Sequence, residues 1–175
     1  NNSKNYLIET ENFSKKKKLY YKNRKITGFA TRNIPHIGHE KIIKNIVKDN
    51  NAMILINSEV TKKKKTDIKK TIYSYKKFIQ REKLQSKILL KKIIIPSTML
   101  GYRQAFIHAL IGRNLGCKKF IIGRDHSGYK KFYSEFQSYN FCKKNEKKLG
   151  IRILASGSPV FCKKCNQVVF RDECN

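Results

Sequence analysis

The sequence predicts an α/β protein with a doubly wound, mostly parallel sheet. Three observations lead there. Short apolar runs alternate with longer stretches of helical periodicity, the βαβ pattern that builds a parallel sheet. The run AMILIN (Ala52–Asn57) is continuously apolar, as a strand covered on both faces must be. Two polar, glycine-containing motifs follow the first and fourth apolar runs, and ligands of such sheets sit at the carboxyl ends of strands.

Residues 1–24 form a polar lead-in, irregular or helical, in which Lys15–Lys18 is a solvated charge run. KITGFA (Lys25–Ala30) is the first strand. A helix follows from about His39 to Lys48, with Ile42, Ile43, Ile46 and Val47 on one face. After the strand Ala52–Asn57 comes a charged loop, Lys62–Lys65, then a helix over Asp67–Leu84 whose stripe is Ile68, Ile72, Tyr75 and Ile79. KIIIP (Lys92–Pro96) is the third strand. Tyr102–Leu115 is helical, and Gly116 ends it as a left-handed cap. KFII (Lys119–Ile122) is the fourth strand, Phe132–Leu149 is largely helical and stops at Gly150, and Ile151–Leu154 is the fifth strand. Residues 25–156 therefore make one α/β domain, and residues 157–175 open a small cysteine-rich segment that reads as truncated. No internal repeat is present.

The charge is extreme: 40 Lys+Arg against 12 Asp+Glu give +28 over 175 residues. Such a balance ordinarily suggests nucleic acid or an anionic surface. Only 8 of the 40 are Arg, the residue that grips phosphates and bases bidentately, and 22 Ile stand against 11 Leu beside 15 Asn. Lys, Ile and Asn share A/T-rich codons, so a genome drifting toward A+T explains the excess, and nucleic acid is not an expected partner. No stretch has the apolar length of a membrane span, nothing near the N-terminus reads as a signal peptide, and 39% hydrophobic residues suffice for a core. A cytoplasmic location without a membrane partner is expected. The first residue is Asn1 rather than Met, so the chain reads as a segment of a longer one. Five cysteines, an odd count, fit reduced thiols better than a disulfide framework.

The most informative stretch is Thr31-Arg32-Asn33-Ile34-Pro35-His36-Ile37-Gly38-His39-Glu40, which runs from a strand end into a helix. Two imidazoles three residues apart sit at a helix N-terminus, where unpaired N–H groups and a partial positive charge favour anions. Arg32 adds a fixed bidentate donor and Asn33 a neutral one. A lone histidine there would read as a cap or a core residue; the pair after Thr-Arg-Asn reads as chemistry on a triphosphate. His108, inside a helix two turns from the strand, reads as a satisfied structural histidine.

FATRNIPHIGHE (residues 29–40) resembles a signature of the ATP sulfurylases, or sulfate adenylyltransferases, a branch of the nucleotidyltransferases with an HIGH-like histidine pair. KFIIGRDHSG (Lys119–Gly128) is similar to that family's second signature, and GYRQAFIHAL (Gly101–Leu110) to the helix between them. The likeness covers about residues 25–174, in order, with Phe132 and Tyr133 fitting as well.

The resemblance implies a Rossmann-like nucleotidyltransferase domain that joins ATP and sulfate into adenosine 5′-phosphosulfate (APS) and pyrophosphate, or runs the reverse. It implies that Arg32 binds sulfate and steadies the α-phosphate, that Thr31 and Asn33 shape the site, and that His36 and His39 stabilise the transition state. Gly123, Arg124, Asp125 and His126 would hold the nucleotide, the Ser127 N–H would meet sulfate, and Mg²⁺ would accompany ATP. This sequence departs from the family at several places: Ala30 stands for a sulfate-contacting Gln, Ile34-Pro35 for Pro and an apolar residue, Ile37 for Arg, Ser127 for Ala, and Tyr102 for Pro. Loss of the Gln amide is expected to weaken sulfate binding more than catalysis. Family members also carry a PUA-like domain ahead of the catalytic one. A homo-oligomer is compatible with the sequence and not required by it.

Cys162-Lys163-Lys164-Cys165 and Cys174 form C-x₂-C-x₈-C, whose close pair suits tetrahedral Zn²⁺. Some family members have a similar cluster near the domain's end. A structural zinc on Cys162, Cys165 and Cys174, its fourth ligand missing here, is expected. A redox pair is disfavoured because no helix N-terminus follows to lower the thiol pKa. Cys117 and Cys142 read as small buried residues.

Three other readings compete. Another HIGH-type nucleotidyltransferase, acting on a sugar or alcohol phosphate, would carry a different late phosphate motif from Gly-Arg-Asp-His. A basic zinc-knuckle nucleic-acid-binding protein would interleave aromatics with Arg on an exposed face, whereas Arg is scarce here and three of the eight, Arg32, Arg103 and Arg124, fall inside the motifs. A decayed, inactive paralogue is also compatible with a single sequence.

Overall fold

The computed structural model describes residues 25–60, 68–96, 100–124, 126 and 133–173. The lead-in 1–24, the loop Lys62–Lys65, Asp125, Ser127, Phe132 and Cys174 lie outside the described residues.

Five strands, β1 (Ile26–Thr31), β2 (Asn51–Val60), β3 (Ile88–Pro96), β4 (Lys119–Ile122) and β5 (Arg152–Ala155), form one sheet in the order β3-β2-β1-β4-β5. Every neighbouring pair is parallel. The connecting helices are α1 (Ile37–Asp49), α2 (Ile68–Arg81), α3 (Gln104–Asn114, after a 3₁₀ turn over Gly101–Arg103), α4 (Gln137–Lys144) and α5 (Glu146–Leu149). A separate antiparallel hairpin, β6 (Pro159–Cys162) and β7 (Gln167–Phe170), follows. The doubly wound parallel architecture expected from the sequence is the one observed.

Strand alternation explains the two layers. Successive side chains of a strand point to opposite faces. Ala30, Met53, Leu55, Phe120 and Ile122 meet α3, α4 and α5 on one face. Phe29, Ile54, Ile56 and Ile121 meet α1 and α2 on the other, through Ile43, Ile46, Tyr75 and Phe78. Helix α3 lies close to the sheet because Gly28 on β1 and Gly112 on α3 both leave room for the fully buried Phe120 ring; a Cβ at either would stand 2.5–2.6 Å from it.

Three boundaries differ from the sequence reading. Strand β3 begins at Ile88, not Lys92, and pairs with β2 from Ala52↔Ile88 onward. Lys91 and Lys92 interrupt the apolar run, yet an edge strand accommodates lysines. The helix expected over Phe132–Leu149 is two helices meeting at Asn145, whose side-chain amide donates to the Phe141 carbonyl at 2.8 Å and so competes with the helical ladder. Residues 159–170 form a hairpin where no strand was expected, and it packs on α1: Lys41 pairs with Glu173 at 2.8 Å and lies over the Phe170 ring. Among the described residues, no helix is long and apolar enough to cross a membrane.

Candidate active site

In an open parallel sheet the crevice forms where neighbouring strands send their connections to opposite faces. Here that point lies between β1 and β4, which pair through Thr27↔Lys119 to Phe29↔Ile121. A cleft of about 270 Å³ opens at their carboxyl ends. From β1 and its loop it is lined by Phe29, Ala30, Thr31, Arg32 and Asn33, and from α1 by His39. Gly123 and His126 line it after β4, Gln104 and His108 from α3, and Asn57 from the end of β2. The two motifs, some ninety positions apart along the chain, thus share one wall-to-wall space.

Local rules shape the first motif. The Thr31 hydroxyl accepts the Asn33 N–H at 3.1 Å and fixes the turn out of β1. His36 is the N-cap of α1: its backbone is extended, and its Nδ1 accepts the Gly38 N–H at 3.2 Å. With Nδ1 accepting, the neutral ring carries its proton on Nε2. Gly38 lets the His36 ring fold back closely, because a Cβ there would sit 3.0 Å from that ring and push it aside by a few tenths of an ångström. His39 packs on His36 with ring centroids 3.9 Å apart and meets Phe29 edge-on at 5.7 Å. Burial, then the neighbouring His36, pushes the His39 pKa down to about 4, so this imidazole is neutral at physiological pH.

The second motif reaches the cleft only in part. Gly123 lines it, and a Cβ there would meet no described atom within 4 Å, so the space beside it is open to a ligand. His126 lines it too, with its carbonyl accepting the Ser138 hydroxyl at 2.7 Å. Arg124 stands outside the lining set, exposed, its Nε 3.8 Å from the Glu135 carboxylate. His36 is likewise outside it and acts on the cleft edge through His39.

His108 corrects the sequence reading. It is buried, 4% exposed, yet not satisfied: Nδ1 lies 2.8 Å from His126 Nε2, while Nε2 has no hydrogen-bond partner among the described residues. Asn57 is buried as well, with Oδ1 unpartnered among the described residues. Burial and then Arg32 hold the His126 pKa down to about 4; burial, His126 and Arg32 hold His108 well below the ordinary value. Sequence reasoning missed Asn57, Gln104 and His108 as lining residues. Their positions at the end of β2 and the start of α3 were the available signal, since both ends face the crevice.

At the hairpin, Cys162 and Cys165 sit on one turn that Asn166 closes in the left-handed region (φ 51°). The Cys165 N–H donates to Cys162 Sγ at 3.4 Å, the contact a thiolate ligand receives from its turn. No group of three His, Cys, Asp or Glu able to hold a metal occurs among the described residues. Cys117 and Cys142 are buried, as expected, and burial pushes both thiols up to about 12.

A parallel sheet with a histidine-capped helix and a polar cleft at its switch point defines a Rossmann-like, doubly wound α/β domain. The ATP-sulfurylase family model matches residues 7–175, and the chain belongs to that family. It is 29% identical over 153 residues to a sulfate adenylyltransferase of Ignicoccus hospitalis, covering 86% of this chain and 40% of that protein. It is 30% identical over 168 residues to one of Carboxydothermus hydrogenoformans, covering 93% and 44%. The chain therefore spans about two fifths of the length of these relatives. Among solved structures, a hexameric APS kinase from Thiobacillus denitrificans superposes with a TM-score of 0.64 at 17% identity, over 87% of this chain and 28% of that one, a likeness of fold.

Proposed function

We propose that this domain carries the adenylyl-transfer step of a sulfate adenylyltransferase: ATP and sulfate give adenosine 5′-phosphosulfate and pyrophosphate, or the reverse. The observation that supports it most is the convergence of both signature segments on a single cleft at the β1/β4 switch point. A sulfate oxygen attacks the α-phosphorus, the bond from that phosphorus to the bridging oxygen breaks, and pyrophosphate departs with the electron pair. Sulfate is fully ionised, so no general base is required, and catalysis is positioning plus charge stabilisation.

Arg32, exposed at the cleft mouth, is the fixed cation for sulfate and the α-phosphate. Thr31 and Asn33 hold the turn that aims it. The His36 Nε2–H and the neutral His39 ring offer hydrogen bonds to the phosphates without a proton transfer. Gly123 gives the nucleotide backbone-close approach, with His126 beside it; Arg124, Asp125 and Ser127 belong to the same loop and complete the nucleotide and sulfate contacts in this reading. ATP enters with Mg²⁺, which supplies charge neutralisation on the triphosphate. Cys162 and Cys165, with Cys174, would hold a structural zinc; the thiolate-type contact at the turn fits that role. The test is sulfate-dependent pyrophosphate release, with molybdate-dependent ATP breakdown as the parallel measurement. A protein that binds ATP yet shows neither reaction would remove the assignment.

A further inference from the structure

We propose that His108 is a positioning residue for the transfer site: through its Nδ1 it holds the orientation of His126 at the cleft wall and couples the tautomers of the two rings. The proposal deepens the function proposed above and rests on it for its kinetic arm.

Three observations carry it. The two rings meet edge-on, centroids 5.1 Å apart at 70°, with Nδ1 of His108 2.8 Å from Nε2 of His126, a direct N–H···N bond. One proton lies between the two nitrogens, so the protonation of one ring dictates that of the other. His126 belongs to a loop, and loops alone hold side chains less precisely than helices do. His108 stands on α3, whose turns pack on β1 and β4 through Ala105, Ala109 and Gly112. The rigid element thus reaches across the sheet to hold the loop imidazole, and Ser138 holds the same residue's carbonyl from α4.

The second nitrogen of His108 argues against a packing role. Nε2 is buried and lacks a partner among the described residues, in a ring that lines the cleft. A buried polar atom left unpaired is destabilising, and removing this ring would in turn orphan His126 Nε2, so the pair carries a cost that purely apolar packing at both positions would not. Burial first, and then the neighbouring Arg32 charge that acts on both rings, makes a second proton on the pair costly and keeps the pair neutral. Neutrality is what gives each ring one donor and one acceptor, and hence a tautomer to fix.

Four variants of the protein test this: His108→Leu, His108→Asn, His126→Ala and the double variant His108→Leu/His126→Ala. An Asn amide falls near the Nδ1 position of the replaced ring and can still bond His126, so His108→Asn retains most of the turnover. His108→Leu exchanges the orphan nitrogen of His108 for one on His126 and should shift the melting temperature little, while kcat falls roughly 10²-fold, the usual scale for a misaimed group, with little change in KM for ATP. The double variant should be no worse than the more impaired single one, because His108 acts through His126. Imidazole ¹⁵N NMR should show one His126 tautomer in the wild type and in His108→Asn, and a mixture in His108→Leu. Losses that multiply in the double variant, a His108→Leu protein with full turnover, or an unaltered His126 tautomer would overturn the proposal. A wild type without adenylyl transfer sinks the proposed function instead, and the NMR arm then decides the positioning role by itself.

Discussion

Acidification from pH 7 to pH 5 should destabilise this domain through its buried imidazoles. His39 and His126 both titrate near pH 4 in the fold against 6.5 in an open chain. Between those values the unfolded chain binds more protons than the native one, so stability is full above pH 6.5 and is lost as the pH falls toward 4. Integrating that difference from pH 7 to pH 5 gives about 2 kcal/mol for each ring, or about 4 together. Partial solvent access to both rings trims the sum to about 2–4 kcal/mol. Against a domain stability of about 5–15 kcal/mol, that is a large fraction. The depressed carboxyls do not confuse the window. Glu82, held down first by Lys44, and Glu146, held down first by Lys143, are surface groups that lose their contribution only below the ordinary carboxylate range. Urea unfolding at pH 7, 6 and 5 measures the effect as a falling midpoint at constant slope. His108, held well below the ordinary value first by burial and then by His126 and Arg32, adds to the same decline, so His126→Asn, which removes one of three depressed imidazoles, should flatten it in part. A midpoint that stays level across the range, or a His126→Asn protein with undiminished pH dependence, refutes the reasoning.

Further outcomes follow from the site and the packing. Arg32→Ala should lower adenylyl transfer by about 10²–10³-fold, with an unchanged melting temperature because Arg32 is exposed; full pyrophosphate release would remove its role. Ala30→Gln returns a donor to the cleft wall and should lower KM for sulfate about tenfold, read in steady-state kinetics, as expected of one hydrogen bond to a charged group. Gly112→Ala forces a methyl against Phe120 and should cost about 1–3 kcal/mol in urea unfolding, with the sheet face of α3 displaced. Native mass spectrometry should find one zinc per chain, lost in Cys162→Ser; a metal-free protein in chelator-free buffer rejects the knuckle.

Much of the fold was legible because the strands are short and unmixed. Ile26–Thr31 (ITGFAT) and Lys119–Ile122 (KFII) are short, low-charge stretches between polar segments, and the motifs behind them fall at their carboxyl ends. That those ends adjoin was an inference from the doubly wound pattern, and the β1/β4 pairing bears it out. Ile88–Leu90 escaped notice because Lys91 and Lys92 split the apolar stretch, and their tolerance depends on β3 lying at the sheet edge. The hairpin was hidden by its partner: Val160, Val169 and Phe170 make sense as strand residues only against α1, a contact between positions more than a hundred apart. His108 was misread for a related reason. Helical spacing told that it faces inward, but not that another imidazole waits 2.8 Å away, since His126 arrives on a different strand's loop.

The strand order has a consequence for how such a chain is made. As the polypeptide leaves the ribosome, β1, β2 and β3 can zip together on one side, while the opposite margin of β1 stays bare until β4 is synthesised. During that interval the Thr31–His39 turn exists with only half of its surroundings, and an unpaired parallel edge of ITGFAT is open to the solvent. Insertion of β4 closes that margin and brings the two walls of the cleft together in a single event, so a nascent chain acquires the cleft late and all at once.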